Sequence, residues 1–310
     1  MIEQYLLQLM LAKGIGNVAL RQILKHASTY SQDYLKQLCH HPEELTNIIK
    51  VRNDTVSSVL LNAEPARALW EEITKREIVI ITELDPLYPK SLKRCLGKDC
   101  PAVLFAQGNV KLLETTSVGF CGSRKVSSKG AFITEQCAQQ LVEQGITVVS
   151  GYAAGTDLYA HTSALTNKGN TVFVLAEGIL KFSKKQAVKS YLSNENHVYI
   201  SQFLPNSLWS AANAMKRNSV IIGLSQAMIL VESGRRGGTF AAGEETLKRS
   251  LPLFVIDFEK PEVSAEANPY FIEKGGHPIR GKRGIPNLEK VLEAVNHPQS
   301  NHSGWEQLTF

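Results

Sequence analysis

Residues 117–124 read SVGFCGSR, and residues 146–157 read ITVVSGYAAGTD. In each stretch an apolar run of strand length meets a turn of glycine and small polar residues, and a helical pattern follows. Glycine lets ligand oxygens approach the backbone, while the helix start offers unpaired N–H groups and the positive end of its dipole to an anion. Two such units in succession are typical of a phosphate-binding α/β sheet and indicate nucleotides or nucleic acid as ligands.

The alternation of strand and helix continues beyond these two stretches. Six strands are predicted at residues 118–121, 147–150, 171–176, 198–201, 227–232 and 253–257, with helices near 130–144, 157–168, 209–222 and 239–249. Helical crossovers imply a mostly parallel, doubly wound sheet, so the predicted fold class is α/β. Binding sites in such sheets lie at the carboxyl ends of the strands, which is where the glycine turns fall.

The chain is predicted to divide into four parts. These are a helical domain at 1–75, a connecting module at 76–110 with strands at 78–82 and 103–106, the sheet domain at 111–260, and an irregular arm and polar tail at 261–310 with one helix near 287–295. The Gly-x-Gly turn at 13–17 fits a helix-hairpin-helix or SAM-like domain, whose backbone N–H groups hold a DNA phosphate. A plain helical turn with a glycine C-cap fits equally well.

The composition is that of a folded protein, with 43% hydrophobic and 20% charged residues among 310. A net charge of +5 permits nucleic-acid binding without requiring it. The apolar runs are shorter than the roughly 18 to 20 residues that cross a bilayer, and a signal-peptide pattern is lacking, so we expect a cytoplasmic protein without membrane contact. Five scattered cysteines without C-x-x-C spacing indicate reduced thiols, and we expect neither metal nor cofactor.

The first glycine turn is one candidate phosphate site. Gly122, Ser123 and Arg124 bring a hydroxyl and a guanidinium to the start of a helix. The planar fork of arginine donates two hydrogen bonds to one phosphate at once, which favours a functional role. The alternative is a surface arginine without a ligand.

The second turn contributes Ser150, Gly151 and Gly155 to the predicted phosphate site, and Asp157 and His161 follow. Asp157 and His161 are four residues apart and therefore share one face of the next helix. Either Asp157 caps that helix while His161 is hydrogen-bonded in the interior, or the two act as acid and base. Both interpretations stay open, although no nucleophile accompanies His161 to make a triad.

Three further segments place cations or glycines at predicted strand and helix ends. The candidate DNA-binding or phosphate-binding residues in them are Lys181, Phe182, Lys184, Lys216, Arg217, Asn218, Gly237, Gly238 and Thr239. Adjacent cations clamp phosphates, a glycine turn before a helix suits an anion, and an aromatic ring among lysines stacks on bases in single-strand binders. A solvated basic surface is the competing interpretation. Neither a Walker A motif nor a complete G-x-G-x-x-G is present, which disfavours an ATPase or an NAD dehydrogenase.

Taken together, the motifs resemble the DNA-processing protein A family, also called Smf. The resemblance extends over roughly residues 5–257. The motifs that carry it are Asp85-Pro86 with Tyr88-Pro89, residues 101–109, Gly122-Ser123-Arg124 with Gly130, Ser150-Gly151 with Gly155, Asp157 and His161, and residues 216–225. It implies an extended Rossmann-like core after the helical domain. It also implies a homodimer that binds and protects incoming single-stranded DNA and loads a RecA-type recombinase during natural transformation, and that is not an enzyme.

The chain also departs from the family pattern. Thr156 stands where the family has isoleucine, Gln202 where it has glutamate, Ser219 where it has arginine and Asp257 where it has proline. These changes put in doubt the details of DNA contact or mark a specialised branch. The winged-helix-like C-terminal domain of many members is not recognised in the sequence.

Two alternatives come from other functional classes. Gly237-Gly238-Thr239 followed by Glu244-Glu245 partly matches the signature of nucleotide phosphoribohydrolases of related fold, which favours a nucleotide-binding enzyme or sensor. The match is incomplete, since a glycine is missing before Thr239 and the glutamates lie further along the chain. A purely structural dimeric scaffold is the second alternative.

Overall fold

A nine-stranded sheet forms the centre of the molecule, as seen in a computed structural model that describes residues 2–30 and 33–296, without the side chains of Ile2 and Asn53. The strands of this sheet are β1 (Val79–Thr82), β2 (Val103–Gly108), β3 (Ser117–Cys121), β4 (Thr147–Ser150), β5 (Thr171–Val174), β6 (His197–Ser201), β7 (Ala227–Leu230), β8 (Leu253–Ile256) and β9 (His277–Ile279). Their spatial order is β1-β2-β6-β5-β4-β3-β7-β8-β9.

The sheet is parallel from β6 to β9, and β1 and β2 extend it in antiparallel fashion beside β6. Every residue of β3 to β8 is buried. Strands covered on both faces are built from continuous apolar and β-branched runs, which explains why all six were recognisable. The predicted α/β fold with a mostly parallel, doubly wound, Rossmann-like sheet is therefore confirmed.

Thirteen helices surround the sheet within the described residues. They are α1 (Ile2–Leu11), α2 (Asn17–Ala27), α3 (Tyr34–His40), α4 (Asn53–Leu61), α5 (Ala63–Lys75), α6 (Lys90–Leu96), α7 (Ser128–Glu143), α8 (Thr156–Thr166), α9 (Gln186–Lys189), α10 (Ala211–Leu224), α11 (Gly238–Lys248), α12 (Asn268–Glu273) and α13 (Glu289–Asn296). Helix α10 begins two residues later than predicted, because the Ser210 hydroxyl accepts a hydrogen bond from the Asn213 N–H at 3.0 Å and caps it.

The helices cover both faces of the sheet. One face packs against α6, α10, α11 and α12 around residues such as Val149, Val172 and Leu230. The opposite face packs against α7, α8 and α13 around Phe120 and Val148. This layering leaves the carboxyl ends of the parallel strands open along one edge of the sheet, where the glycine turns lie.

Helices α1 to α5 occupy the segment predicted to be a helical domain. The turn between α1 and α2 passes through Gly14, whose φ of +89° suits glycine and whose Cα faces the Thr55 side chain. Apolar side chains of these helices belong to the same contiguous cluster as Phe105, Phe173 and Tyr199 of the sheet. The helices are thus packed on the sheet, while the division of the chain into separate domains stays a prediction.

A buried ion pair joins the N-terminal helices to the sheet. Arg21 of α2 donates from Nε to the Glu83 carboxylate just after β1, at 2.6 Å, and its Nη atoms reach the carbonyls of Lys98 and Cys100. Both side chains are largely buried, and the second carboxylate oxygen of Glu83 has no partner within the described residues. Asn17 completes the contact by bonding both Cys100 and Ala102 through its side chain.

The segment predicted to be an irregular arm contains more regular structure than expected. Strand β9 adds a ninth member to the sheet, α12 precedes it, and a two-stranded hairpin of β10 (Gly281–Lys282) and β11 (Ile285–Pro286) follows. Short strands that contain proline give no periodic signal, which is why they were missed. Helix α13 confirms the single helix predicted there, and the tail at 297–310 lies outside the described residues.

Within residues 2–30 and 33–296, no helix has the length and apolar character needed to span a membrane.

Replacing Arg21 by alanine is expected to destabilise the protein by about 3 kcal/mol, because it leaves the Glu83 carboxylate buried without its cation. Urea unfolding followed by circular dichroism measures this loss. The matched control is Arg67→Ala in the same helical region, whose pair with Glu64 is exposed and should contribute less than about 0.5 kcal/mol. Equal losses in both variants would contradict the proposed role of the buried pair.

Candidate nucleic-acid interface

The carboxyl ends of β3, β4, β5 and β7 bring the predicted site residues to one edge of the sheet. The turn that contains Gly122 lies between the other two glycine turns, because β3 lies between β4 and β7. On one side the Thr156 N–H donates to the Ser123 carbonyl at 3.2 Å, and on the other the Thr239 hydroxyl donates to the Gly122 carbonyl at 2.9 Å. Three turns separated in the sequence therefore form one continuous surface.

Arg217 is the cation most deeply embedded in this edge. Its Nη1 donates to the Val174 carbonyl at the end of β5, at 3.2 Å, and lies 3.8 Å from the Asp157 carboxylate. Burial lowers the pKa of the guanidinium, and the Asp157 charge opposes that effect. Its Nε has no hydrogen-bond partner within the described residues. Arg217 was predicted to contact phosphate directly, but only 6% of the residue is exposed, so it chiefly forms the floor of the site.

The Arg217 guanidinium occupies the space that a side chain at position 151 would need, so only glycine fits there. A Cβ atom built at Gly151 would lie 1.4 Å from Nη1 of Arg217 and 2.4 Å from Oδ2 of Asp157. The sequence indicates glycine here for close approach of a ligand, whereas the close neighbour in the structure is the protein's own arginine.

Asp157 does not cap helix α8, which corrects one sequence-based interpretation. The helix begins at Thr156, and Gly155, with φ of +76°, occupies the N-cap position. The Asp157 carboxylate instead turns back to accept hydrogen bonds from the Ser150 hydroxyl at 3.0 Å and the Ala153 N–H at 3.2 Å. Ser150 is fully buried, and its hydroxyl oxygen also lies 2.9 Å from the Phe120 carbonyl, so in this structure the hydroxyl predicted to contact phosphate is surrounded by internal partners.

His161 is hydrogen-bonded in the interior, as one of the two interpretations predicted. Its Nδ1 lies 2.6 Å from the Thr171 hydroxyl and its Nε2 lies 2.6 Å from the Gly151 carbonyl. Burial lowers its pKa to about 4, so the ring is neutral at neutral pH. With both nitrogens occupied and no exposed surface, His161 supports the turn and does not serve as an acid or base in this arrangement.

A cavity of about 190 Å³ opens above Arg217. Its lining consists of Arg124, Tyr152, Ala153, Ala154, Ala176, Glu177, Trp209 and Arg217. The Arg124 guanidinium lies over the Trp209 ring, 5.4 Å from the ring centroid, and both side chains are exposed. The cavity therefore combines two guanidinium groups, one carboxylate and an aromatic surface.

The basic loop after β5 divides into exposed and anchored residues. Lys181 and Lys184 are exposed, whereas Lys185 donates to the Tyr152 carbonyl and burial lowers its pKa. Phe182 is half-buried, and its ring packs on Tyr199 with the centroids 4.5 Å apart. One ring contact is thus already made within the protein, so the predicted stacking of Phe182 on a base has less free surface than the sequence suggested.

Two helix starts at this edge carry no side-chain cap. Gly155 precedes α8 and Gly237, with φ of +98°, precedes α11, whereas serines cap α7 and α10. Asn218 fixes the second of these starts by donating to the Gly238 carbonyl at 3.1 Å. Lys216 is exposed nearby on α10. The first N–H groups of a helix have no partner within the helix, so the start of α11 beside an exposed cation suits an anion such as phosphate. At the start of α8 the Thr156 N–H is already engaged by the Ser123 carbonyl.

The four departures from the family pattern have separate structural settings. The hydroxyl of Thr156 lies close to the Gly122 turn and donates to the Ser123 carbonyl at 3.3 Å. The Gln202 side-chain nitrogen is buried without a partner among the described residues, and Asp257 pairs with Arg280 at 2.7 Å. Ser219 is half-buried on α10, so a longer cation is lacking beside Arg217. No group of His, Cys, Asp or Glu able to hold a metal occurs in the described parts of the chain.

Sequence reasoning missed Tyr152, Glu177 and Trp209 as members of the site. Tyr152 lies inside the second glycine turn, and Glu177 follows the end of β5, so their positions at strand ends were an available signal. The sequence pattern places Trp209 at the start of the helix predicted near 209–222. Its loop approaches Arg124 only in the folded chain, and no local pattern predicts that contact.

The comparisons with known proteins agree with this architecture. The family model described as DNA recombination-mediator protein A matches residues 79–288. The chain is 28% identical over 257 residues to the DNA processing protein DprA of Streptococcus pneumoniae, covering 82% of this chain and 87% of the relative. It is 27% identical over 241 residues to DprA of Bacillus subtilis, covering 76% and 75%.

Two solved structures share the fold. The X-ray structure of DprA from S. pneumoniae has a TM-score of 0.73 at 25% identity and covers 91% of this chain and 96% of that one. A DNA processing protein A from Helicobacter pylori, studied for its single-stranded DNA binding mode, has a TM-score of 0.58 at 21% identity and covers 72% and 95%. At that identity the second likeness shows the fold alone.

Replacing Gly151 by alanine is expected to lower the free energy of unfolding by about 3 kcal/mol, because the added methyl group overlaps the Arg217 guanidinium. Thermal and urea unfolding measure the change. The control is Gly238→Ala, where the nearest atom to a new Cβ is 3.9 Å away, and we expect a change within about 0.5 kcal/mol. If the two variants were equally stable, Arg217 would not be fixed beneath Gly151.

Proposed function

The chain belongs to the DNA recombination-mediator protein A family, and on that premise we propose that it binds single-stranded DNA along the carboxyl edge of its sheet. The observation that carries the proposal is the exposed Arg124 guanidinium that lies over the exposed Trp209 ring at the cavity, 5.4 Å from the ring centroid. A cation held beside an aromatic ring suits a ligand that alternates phosphates with planar bases.

The phosphates are proposed to contact the exposed cations and the backbone N–H groups at the start of α11. Arg124 lies at the centre, Lys181 and Lys184 lie after β5, and Lys216 lies on α10. The backbone N–H groups at the start of α11 lie along the same edge. Such contacts carry no sequence information, so this part of the interface binds any single strand. The relative from H. pylori was studied for binding of the same ligand class, which supports the proposal.

Binding without catalysis is the activity that we propose. The alternative of a nucleotide phosphoribohydrolase needs carboxylates near the Gly237-Gly238-Thr239 turn. The Glu244 carboxylate accepts a hydrogen bond from the Tyr270 hydroxyl at 3.1 Å, and the Glu245 carboxylate pairs with Arg249 at 2.6 Å. Both glutamates are thus engaged with other residues, which favours a DNA-binding protein over that enzyme.

Arg124→Ala and Lys216→Ala are each expected to weaken binding of a single-stranded oligonucleotide about tenfold, because each removes a charged phosphate contact. Fluorescence anisotropy at several salt concentrations measures the affinity. Each variant should also reduce the slope of log affinity against log salt by about 0.7.

The charge-matched control for this experiment is Lys248→Ala. Lys248 is exposed at the last residue of α11, at the opposite edge of the sheet, and its removal should leave both affinity and salt dependence within about twofold. Unchanged affinity in Arg124→Ala and Lys216→Ala, or an equal loss of affinity in Lys248→Ala, would contradict the proposed interface.

We further propose that the protein acts in the cytoplasm as a homodimer that protects incoming DNA and hands it to a RecA-type recombinase during natural transformation. Membership of the family supports this role. Light scattering of the purified protein should give twice the mass of 34.2 kDa. The rate at which recombinase filaments form on DNA coated with single-strand-binding protein should rise when this protein is added. A monomeric mass or an unchanged rate would refute the corresponding part.

A further inference from the structure

A carboxylate such as that of Glu177 is not expected in a site that binds only phosphate. It lines the cavity beside Arg124 and Arg217, where a carboxylate repels a phosphate and weakens the field of the two cations. Within the described residues its carboxylate has no hydrogen-bond partner and no cation within ion-pair distance, although its charge offsets part of the effect of burial on the pKa of Lys185 and of Arg217. Its backbone is fixed, because the Glu177 carbonyl accepts a hydrogen bond from the buried Ser201 hydroxyl at 2.7 Å. A carboxylate that lines the cavity without a hydrogen-bond partner is suited to N–H donors from a ligand.

Arg217 supplies the complementary donor. Its Nη1 is engaged by the Val174 carbonyl, but its Nη2 donates no hydrogen bond within the described residues while the side chain lines the cavity. The guanidinium is held by Asp157 and by the contact with Gly151, so it cannot swing away from the cavity floor. The cavity thus presents a carboxylate acceptor and a firmly held guanidinium donor to the edge of a ligand.

The cavity also fits a planar ring. A cavity of about 150 Å³ is sufficient to hold benzene, so about 190 Å³ is the scale of one heterocyclic base with part of it outside. Trp209, at the rim, is 51% exposed and offers ring surface for stacking, with Arg124 over the ring.

We propose that this cavity is a guanine-reading subsite within the single-stranded DNA site. The Glu177 carboxylate accepts the N1–H and N2–H groups of guanine, Arg217 donates from Nη2 to O6, and the base stacks on Trp209. Guanine alone among the four bases has two adjacent N–H donors next to a carbonyl acceptor on one edge. The inference rests on the proposed function, since the base is presented by a DNA strand, and it adds base preference to phosphate contacts that have none.

The test uses the full chain and oligonucleotides of equal length in fluorescence anisotropy competition. An oligothymidylate is compared with the same strand carrying one central deoxyguanosine, and with a third strand carrying deoxyinosine, which lacks the N2 amino group. We expect guanine to improve affinity about tenfold over thymine and inosine to keep only about a third of that gain. The inosine comparison uses the wild-type protein, so it does not depend on how any variant folds.

Glu177→Gln should remove most of the preference, because an amide replaces the two carboxylate acceptors by one acceptor and one donor. The matched control is Glu195→Gln, which makes the same change of charge at an exposed residue before β6, at the opposite edge of the sheet. We expect the ratio of guanine to thymine affinity to fall to within about twofold in Glu177→Gln and to remain about tenfold in Glu195→Gln.

The outcomes separate this inference from the proposed function. Tight, salt-dependent binding with equal affinity for all three strands would overturn the guanine subsite and leave single-strand binding intact. Competition by deoxyguanosine monophosphate, with no binding of any oligonucleotide, would support guanine recognition and overturn the DNA-binding function in favour of a nucleotide-binding protein. A preference retained in Glu177→Gln would remove Glu177 from the subsite and overturn the inference.

Discussion

The buried guanidinium of Arg217 is the constraint on which the carboxyl edge of the sheet depends. It comes from α10 on one face, reaches the ends of β4 and β5, and meets Asp157 in the first turn of α8 on the other face. A buried charge without a partner costs several kcal/mol, so the position of Asp157 follows from that of Arg217. The lack of a side chain at Gly151 and the interior bonds of Ser150 and His161 follow in turn. One charged group thus connects both helical layers through the sheet and forms the floor of the cavity.

Most of the fold could be predicted because its signals are local. The strands β3 to β8 are continuous apolar runs, and glycine turns followed by helical patterns mark their carboxyl ends. Strand β9 could not be predicted, since three residues with a central proline form a strand only beside β8. The packing of the N-terminal helices on the sheet could not be predicted either. It depends on Arg21 and Glu83, which are far apart in the chain and carry no motif.

The sequence predicts the edge of the sheet at which the candidate site lies, but it predicts only some of the residues that line it. Strand ends and glycine turns predicted that Arg124, Lys216 and the start of α11 lie at one edge of the sheet, and the strand order brings them there, while their contact with DNA stays a prediction. The sequence could not distinguish cations that face solvent from one that is buried, and it therefore did not predict that Arg217 forms the cavity floor. Glu177 and Trp209 become neighbours of the arginines only through tertiary packing. Residue type and spacing predict where charged side chains cluster, whereas tertiary packing determines which of them face solvent and which are buried.

The shared hydrophobic cluster of the N-terminal helices and the sheet has a consequence for biosynthesis. Helices α1 to α5 leave the ribosome before the sheet, but part of the surface they pack against includes Phe173 and Tyr199, which are made much later. At about 5 to 20 residues per second, the wait is on the order of ten seconds. During that time the apolar side chains that later contact the sheet are uncovered and are available to chaperones or to neighbouring nascent chains. Helices that are synthesised before the sheet thus complete their packing only after the sheet has been made.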